Sequence, residues 1–319
     1  MKPLATLLCL IIGLQLPGTP AGSQQQMVVV VRDSGGELVR HLHANDFVLE
    51  EDGAPLPISS FEEDSNLPVS LGILIDISLS MNTRSGGMSR LSAAQGTVRM
   101  LLRMMKPGDQ FLLMSFDNAF SVNQEFTEDP IAIETALNKL APAGDTNLFS
   151  ALGTALQKMK KAKHRTRALV VITDGLAGGD LQSIARNIAD SETLIYTFGL
   201  GNKQTANVAQ PTGPFSVMPG FRGQPQQALM ATPQQILDAL ATDSGGSSEI
   251  FDVADLDAAI LQMVKFDRNI VADVRGQYSI GYASKVPDGL AGHSVRLRAV
   301  SSEYRVRARR NNESLSKPK

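Results

Sequence analysis

Apolar and polar positions follow two different patterns along the chain, and the change between them marks its organisation. From residue 26 to residue 61, short runs of β-forming residues alternate with turn signals, a spacing that predicts a small antiparallel β unit. Residues 69–75 are almost continuously apolar, and the run ends sharply at Asp76. Such a run predicts a strand that is buried on both faces in a parallel sheet.

Beyond that strand, segments with helical periodicity alternate with further apolar runs. One amphipathic helix is marked by apolar residues on a single face: Leu91, Ala94, Val98, Leu101, Leu102 and Met105. Further helices are predicted over 130–140, 148–159, 181–188, 233–240 and 256–264, and further strands over 111–116, 121–126, 168–173, 194–198 and 248–251. Repeated alternation of strand and helix over about 200 residues predicts a doubly wound, mostly parallel α/β domain.

Antiparallel β patterns flank this domain on both sides. After Asp267, strands are predicted over residues 277–282, 293–300 and 304–308. Neither flank is large enough to bury an apolar face alone, so we predict that both pack into one small all-β sandwich with the α/β domain inserted between them. The predicted division is an N-terminal β segment at 22–66, the α/β domain at 67–265, a C-terminal β segment at 266–308 and a disordered tail at 309–319.

Residues 1–21 have the pattern of a secretory signal peptide. Lys2 precedes an apolar run over residues 4–16, and a small-residue breaker that ends at Ala21 follows it. The run is shorter than the ~20 residues that a transmembrane helix needs. Cys9 lies inside the run rather than after it, which argues against a lipoprotein anchor. We therefore expect an exported protein, periplasmic or extracellular, with no membrane span after cleavage.

Composition narrows the classes of function. The chain has 30 Lys and Arg residues against 32 Asp and Glu residues, and this balance lacks the basic excess of a nucleic-acid-binding protein. A single Cys cannot build a disulfide framework or a Cys-ligated cluster. With no Trp and only 4 His residues, a His-rich metalloenzyme is not expected either.

Polar side chains collect where two apolar strands end. Asp76, Ser78 and Ser80 follow the first strand, and Asp174 follows the strand at 168–173. Thr146 lies in a loop that opens a helix between them. Because the carboxyl ends of the strands form the binding crevice of an open α/β sheet, these five side chains should share one rim. Two carboxylates and three hydroxyls make a hard oxygen site that suits Mg²⁺, Mn²⁺ or Ca²⁺ better than zinc.

The Asp-x-Ser-x-Ser motif, with a distant Thr and a further Asp, resembles the metal-ion-dependent adhesion site of von Willebrand factor type A domains. The resemblance covers residues 67–265. It implies that the five side chains hold Mg²⁺, or Mn²⁺ or Ca²⁺, and that the ion takes up a carboxylate of a protein partner. Leu79 and Asp145 depart from the pattern, because family members often have Gly at these positions. Asp145 is a candidate for an additional metal ligand.

The flanks carry a resemblance of their own. Asn45-Asp46-Phe47 and Glu51-Asp52-Gly53 precede the metal motif, and Gln277-Tyr278-Ser279-Ile280-Gly281-Tyr282 and a basic Arg-x-Arg-x-Arg ending follow it. Together they resemble the bacterial VWFA-related family of acidobacteria. This resemblance extends over most of the mature chain, implies an exported bacterial protein and leaves the ligand open.

The favoured interpretation is an exported, non-catalytic binding protein, with its oligomeric state open. The alternative is a Mg²⁺-dependent phosphohydrolase of doubly wound fold, for which Lys203 is the candidate phosphate-binding residue. His41 and His43 have ligand spacing but no third partner, so surface histidines are the better interpretation. The basic run at 158–167 lies at a predicted helix C-terminus, where cations are favoured, and a solvated helix end is preferred to a nucleic-acid patch.

Residues 201–229 are rich in Gly, Pro and Gln, and this composition excludes regular secondary structure. The segment leaves the carboxyl end of the strand predicted at 194–198, so it should emerge on the same rim as the metal site. A partner-binding loop and a plain surface insertion fit the sequence equally well. The candidate contact residues of such a loop are Gly201, Pro211, Pro214, Phe215 and Phe221.

Overall fold

The structure is a computed structural model that describes residues 23–64, 67–85, 87–175, 187–188, 191–201, 233–252, 255–284 and 294–308. Several predicted features lie outside these ranges: the signal peptide, most of the helix at 181–188, Lys203, the loop at 201–229 beyond Gly201, and the tail at 309–319.

The described elements follow in chain order. The N-terminal part contains β1 (Ser23–Arg32), β2 (Phe47–Glu51), β3 (Ala54–Leu56), β4 (Ile58–Glu63), β5 (Val69–Asp76), a 3₁₀ turn (Leu79–Asn82), β6 (Arg84–Ser85), β7 (Met88–Ser89), α1 (Arg90–Met104), β8 (Gln110–Phe116), β9 (Phe120–Thr127) and α2 (Pro130–Leu137). The C-terminal part contains α3 (Leu148–Met159), β10 (Thr166–Thr173), β11 (Leu194–Leu200), α4 (Pro233–Ser244), β12 (Ser247–Phe251), α5 (Leu256–Arg275), β13 (Gln277–Ser284), β14 (Val295–Ala299) and β15 (Arg305–Ala308).

A six-stranded sheet in the order β12-β11-β10-β5-β8-β9 forms the centre of the molecule. The strands from β12 to β8 are parallel, and β9 adds an antiparallel edge. Every residue of β5 is buried, as its unbroken apolar run predicted. Helices cover both faces of the sheet. Because side chains alternate along each strand, Ile73 packs in the core under α1 and α5, whereas Leu74 packs in the core under α3 and α4. The predicted doubly wound α/β fold is confirmed.

The two flanks pair with each other, as predicted. β1 lies antiparallel to β13 from Ser23 opposite Ser284 to Val30 opposite Gln277, and the full sheet has the order β15-β1-β13-β4. A second sheet, β14-β2-β3, also combines strands from both flanks. Their common core contains Met27, Val29, Val31, Phe47, Leu49, Leu56, Tyr278, Ile280 and Tyr282. Strands distant in sequence therefore supply the apolar face that each flank lacks alone.

The last helix is longer than its pattern predicts. α5 runs to Arg275, so residues 266–275, which the sequence analysis assigned to the C-terminal β segment, are helical. Phe266, Ile270 and Val274 continue its apolar stripe at helical spacing, and all three are buried. The sequence pattern did not predict this part of the helix, because Asp267 and Asp273 stand next to the apolar residues of the stripe and interrupt it.

Asp273 links the helix to the sandwich. Its fully buried carboxylate accepts hydrogen bonds from Arg32 of β1, at 3.0 Å from Nε and 2.6 Å from Nη2, and from Arg307 of β15. Both guanidiniums come from the flanking strands, whereas Asp273 belongs to a helix that packs on the central sheet. Hydrogen bonds between charged groups are stronger than those between neutral groups, so these three side chains fix the sandwich against the α/β domain.

Asp267 is buried in α5 without such partners. Its side chain is 0% exposed, and neither carboxylate oxygen has a hydrogen-bond partner within the described part of the chain. Burial raises the pKa of Asp267 from 3.8 to about 8, because water no longer stabilises the charged form. The folded protein therefore holds this carboxyl protonated at neutral pH.

We expect this proton to make stability depend on pH. Between the unfolded pKa of 3.8 and the folded pKa of about 8, the folded state binds a proton that the unfolded state has released. The free energy of unfolding therefore falls as the pH rises, by roughly 1.4 kcal/mol per pH unit at most. The fall ends above about pH 8. Asp267→Asn keeps the shape of the neutral carboxyl and removes this slope.

Urea unfolding of both proteins from pH 5.5 to 8.5 measures the effect. The two free energies of unfolding should diverge with pH, with the variant gaining about 2–3 kcal/mol on the wild type between pH 5.5 and 7.5. Parallel curves would show that Asp267 is already ionised in the folded protein.

Candidate functional site

The site begins with the pairing of β5 and β10. These strands are parallel neighbours in a register that places Ile172 opposite Ile75, so Asp76 and Thr173 end the two strands side by side. The Thr173 hydroxyl donates a hydrogen bond to Asp76 Oδ2 at 2.6 Å. Asp174, which follows directly, is thereby brought to the same rim as the loop after β5.

Four of the five predicted residues form one hydrogen-bonded group, which we call the rim cluster: Asp76, Ser78, Ser80 and Asp174. The Ser78 backbone N–H donates to Asp76 Oδ1 at 2.8 Å, and the Ser78 and Ser80 hydroxyls lie 3.0 Å apart. The Ser80 hydroxyl donates to Asp174 Oδ1 at 2.8 Å. Asp76 is buried, whereas Ser80 is exposed, so the cluster leads from the interior to solvent.

The fifth predicted residue, Thr146, lies beside this cluster. A Cβ atom built on Gly175 would be 3.6 Å from the Thr146 hydroxyl oxygen, which places Thr146 next to the loop after β10. Two backbone hydrogen bonds hold its loop against the loop after β5: Ala143 N–H to the Ile77 carbonyl at 2.6 Å, and Leu79 N–H to the Gly144 carbonyl at 3.0 Å. The structure thus brings all five predicted residues to one rim.

The two departures from the family pattern both face solvent. Leu79 is 63% exposed, and the loop is fixed beneath it by Met81, which is fully buried in the core. Asp145 is also exposed, and its backbone N–H donates to the side-chain oxygen of Asn118. Within the described residues the Asp145 carboxylate makes no hydrogen bond to the rim cluster, so its role as an additional metal ligand stays a prediction.

The electrostatics of the cluster are uneven. Burial raises the pKa of Asp76 above its ordinary value, although hydrogen bonds from Ser78 and Thr173 partly oppose this effect. In the described part of the chain, Asp76 has no ion pair. Asp174 does have one: Arg90 donates from Nη1 to Asp174 Oδ2 at 2.5 Å. One carboxylate is therefore compensated by a cation, and the other is compensated only by hydrogen bonds.

Sequence reasoning missed two members of this network, Thr173 and Arg90. Thr173 stands at the end of an apolar strand directly before Asp174, a polar position that deserved notice. Arg90 is the first residue of α1, next to the N-cap Ser89, where the helix dipole disfavours a cation. That unfavourable placement was a sequence signal that Arg90 forms an ion pair with a carboxylate outside its own helix.

Other candidate sites have structural explanations. The side chains of His41 and His43 are 88% and 84% exposed, near Glu63 and Asp46 respectively, which supports surface histidines. Within the basic run, Lys158 and Lys163 pair at 2.8 Å with carboxylates beside or in β9, as expected for a solvated helix end. The described residues hold no group of three or more His, Cys, Asp or Glu side chains arranged to bind a metal.

Comparison with known families supports the architecture. Residues 71–177 match the family model of the von Willebrand factor type A domain. The matched range contains the whole rim cluster and Thr146. The chain therefore contains a von Willebrand factor type A domain, as the motif resemblance predicted. No curated protein sequence matches the chain.

Several solved structures are similar at low identity. BatB, a conserved hypothetical protein from Bacteroides thetaiotaomicron, is 18% identical with a TM-score of 0.47 over 64% of this chain and 98% of that chain. A von Willebrand factor type A protein from Catenulispora acidiphila is 13% identical with a TM-score of 0.46 over 94% and 76%. The vWF domain of the type V pili tip protein Mfa5 from Porphyromonas gingivalis is 16% identical with a TM-score of 0.44 over 64% and 96%.

None of the described helices combines the length and the apolar character that a bilayer crossing requires.

Proposed function

We propose that this protein is an exported, non-catalytic binding protein that holds an acidic group of a protein partner through a divalent cation at the rim cluster. One observation carries the proposal: Asp76, Ser78, Ser80 and Asp174 are joined by hydrogen bonds at the carboxyl edge of the sheet, with Thr146 beside them. The family match over residues 71–177 supports the same interpretation.

The residues present fit a hard divalent cation. Carboxylates and hydroxyls are oxygen donors of the kind that Mg²⁺, Mn²⁺ and Ca²⁺ prefer. Asp76 is buried with a raised pKa, the condition of a carboxylate that lacks a full counter-charge. Ser78, Ser80 and Thr146 would hold the ion through neutral oxygens, and Asp76 and Asp174 would neutralise its charge.

The binding step follows from the number of ligands. Mg²⁺ takes about six oxygen ligands, so a cation held by these five side chains would keep a position at which a partner carboxylate can bind. The exposed Ser80 marks the side from which a partner approaches. Leu79 presents an exposed apolar side chain on that same side, so an acidic residue flanked by an apolar one suits this surface.

Export is proposed from the pattern of residues 1–21, with the periplasm or the exterior as the destination. The loop at 201–229 is proposed as a second contact surface, because Gly201 follows the carboxyl end of β11 on the rim side of the sheet. A phosphohydrolase at this rim would need a phosphate-binding cation. The sequence candidate for that cation, Lys203, lies outside the described residues, so the phosphohydrolase stays the alternative.

Metal binding is tested first, by thermal unfolding. Mg²⁺ or Mn²⁺ should raise the melting temperature relative to EDTA, because only the folded chain assembles the ligands. The rise should be roughly 5–10 °C at a metal concentration about a hundredfold above Kd. Asp76→Ala should abolish it, and Asp33→Ala, which removes a half-buried carboxylate in the turn after β1, should retain it. An unchanged wild-type melting temperature at millimolar metal contradicts the metal site.

Partner binding is tested by capture of cell-envelope proteins on the immobilised full-length mature chain. A specific partner should be retained in Mg²⁺ and lost in EDTA, since its carboxylate needs the ion. Thr146→Ala should lose it, whereas Asp145→Gly on the same loop should retain it equally or better, because removing a negative charge strengthens the pull of the cation. A partner held equally well in EDTA, or by Thr146→Ala, must use another surface.

A further inference from the structure

Arg90 occupies an unusual position beside the rim cluster. Asp174 is bonded at both carboxylate oxygens: Oδ1 accepts from Ser80, and Oδ2 accepts from Arg90 Nη1 at 2.5 Å. The Asp174 side chain is 1% exposed, and that of Arg90 is 21% exposed. A protein cation thus lies in contact with a carboxylate that belongs to the proposed metal site.

We propose that Arg90 is a tethered cation that neutralises Asp174 while the metal is absent and competes with the metal for that carboxylate. The inference rests on the proposed metal site and adds to it what sets the affinity of that site. Arg90 is a positioning residue in this account, because it acts on the ion through Asp174.

The need for such a cation follows from the charges. Asp76 and Asp174 are two carboxylates in one cluster, the first buried and the second with a side chain that is 1% exposed, and like charges held close together repel each other. A guanidinium cannot lose its proton in proteins, so Arg90 supplies a permanent positive charge. It holds the Asp174 carboxylate in place next to Ser80, so the ligand geometry is preserved without metal.

The same contact has costs that favour release. Arg90 lies at the first position of α1, where the positive end of the helix dipole opposes a cation. Its Nε atom is buried and has no hydrogen-bond partner among the described residues. A divalent ion that binds Asp174 replaces Arg90 as its counter-charge. The guanidinium can then move away, and both costs are relieved.

The backbone lets the side chain move alone. Arg90 N–H donates to the Thr83 carbonyl at 3.1 Å, and the Ser89 side chain caps the helix by accepting from Ser92 N–H. These bonds do not involve the guanidinium. An exchange of Arg90 for metal therefore needs a rotamer change rather than a shift of the helix.

The test compares Arg90→Gln with Arg99→Gln. Both variants remove one positive charge from α1, but Arg99 lies about two and a half turns further along the helix, where it is half-buried and bonded to Asn138. Binding of Mn²⁺ alone is measured by electron paramagnetic resonance, and melting temperatures are read in EDTA and in saturating Mg²⁺.

Arg90→Gln should bind Mn²⁺ about tenfold more tightly than the wild type, because a competing charge has been removed. Its melting temperature should fall by roughly 5–10 °C in EDTA, since Asp174 loses its counter-charge, and should return to the wild-type value in saturating Mg²⁺. Arg99→Gln should match the wild type in affinity and in both melting temperatures. A merely structural Arg90 would lower the melting temperature equally in both conditions.

The failures are distinguishable. If neither the wild type nor Arg90→Gln responds to metal, the proposed metal site is wrong. If the wild type responds and Arg90→Gln binds Mn²⁺ no more tightly, or fails to fold even in saturating Mg²⁺, the competition proposed for Arg90 is wrong.

Discussion

The parallel pairing of β5 with β10 is the constraint on which the rim depends. β5 is buried along its whole length and β10 at every residue except Arg167. Their register brings Asp76 beside Thr173 and places Asp174 on the same rim. A slip of one residue would turn every side chain to the opposite face of the sheet. The polar geometry of the site is therefore set by the apolar packing beneath it. The hydroxyls of Ser78 and Ser80 then link Asp76 to Asp174 by hydrogen bonds.

The sandwich is attached at the amino ends of the strands, opposite the rim. Asp273 holds Arg32 and Arg307 there, and Arg275 at the end of α5 pairs with the buried Asp109. Asp109 also accepts the N–H of Val69 at 2.9 Å, at the start of β5. These contacts tie the flanks to the amino end of the same strand that carries Asp76 at its carboxyl end. The sandwich is therefore anchored at the end of the strands that lies opposite the rim.

Much of this arrangement is predictable from the sequence, for physical reasons. Apolar runs that end in Asp locate strand ends, so the positions of Asp76 and Asp174 follow from pattern alone, and two flanks too small for a core must pair. The contact of Arg90 with Asp174 joins elements far apart in the chain, and no local pattern shows it. The last turns of α5 were missed because Asp267 and Asp273 interrupt an apolar stripe whose burial only tertiary packing reveals.

The central claim is that the rim cluster holds a divalent cation. The most direct measurement is a crystal structure of the mature protein grown with Mn²⁺, with anomalous diffraction used to locate the metal. The account predicts an anomalous peak in direct coordination distance of the Ser78 and Ser80 hydroxyls and beside Thr146. Crystals with millimolar Mn²⁺ and no peak at this rim, or a peak only at another surface, would contradict it.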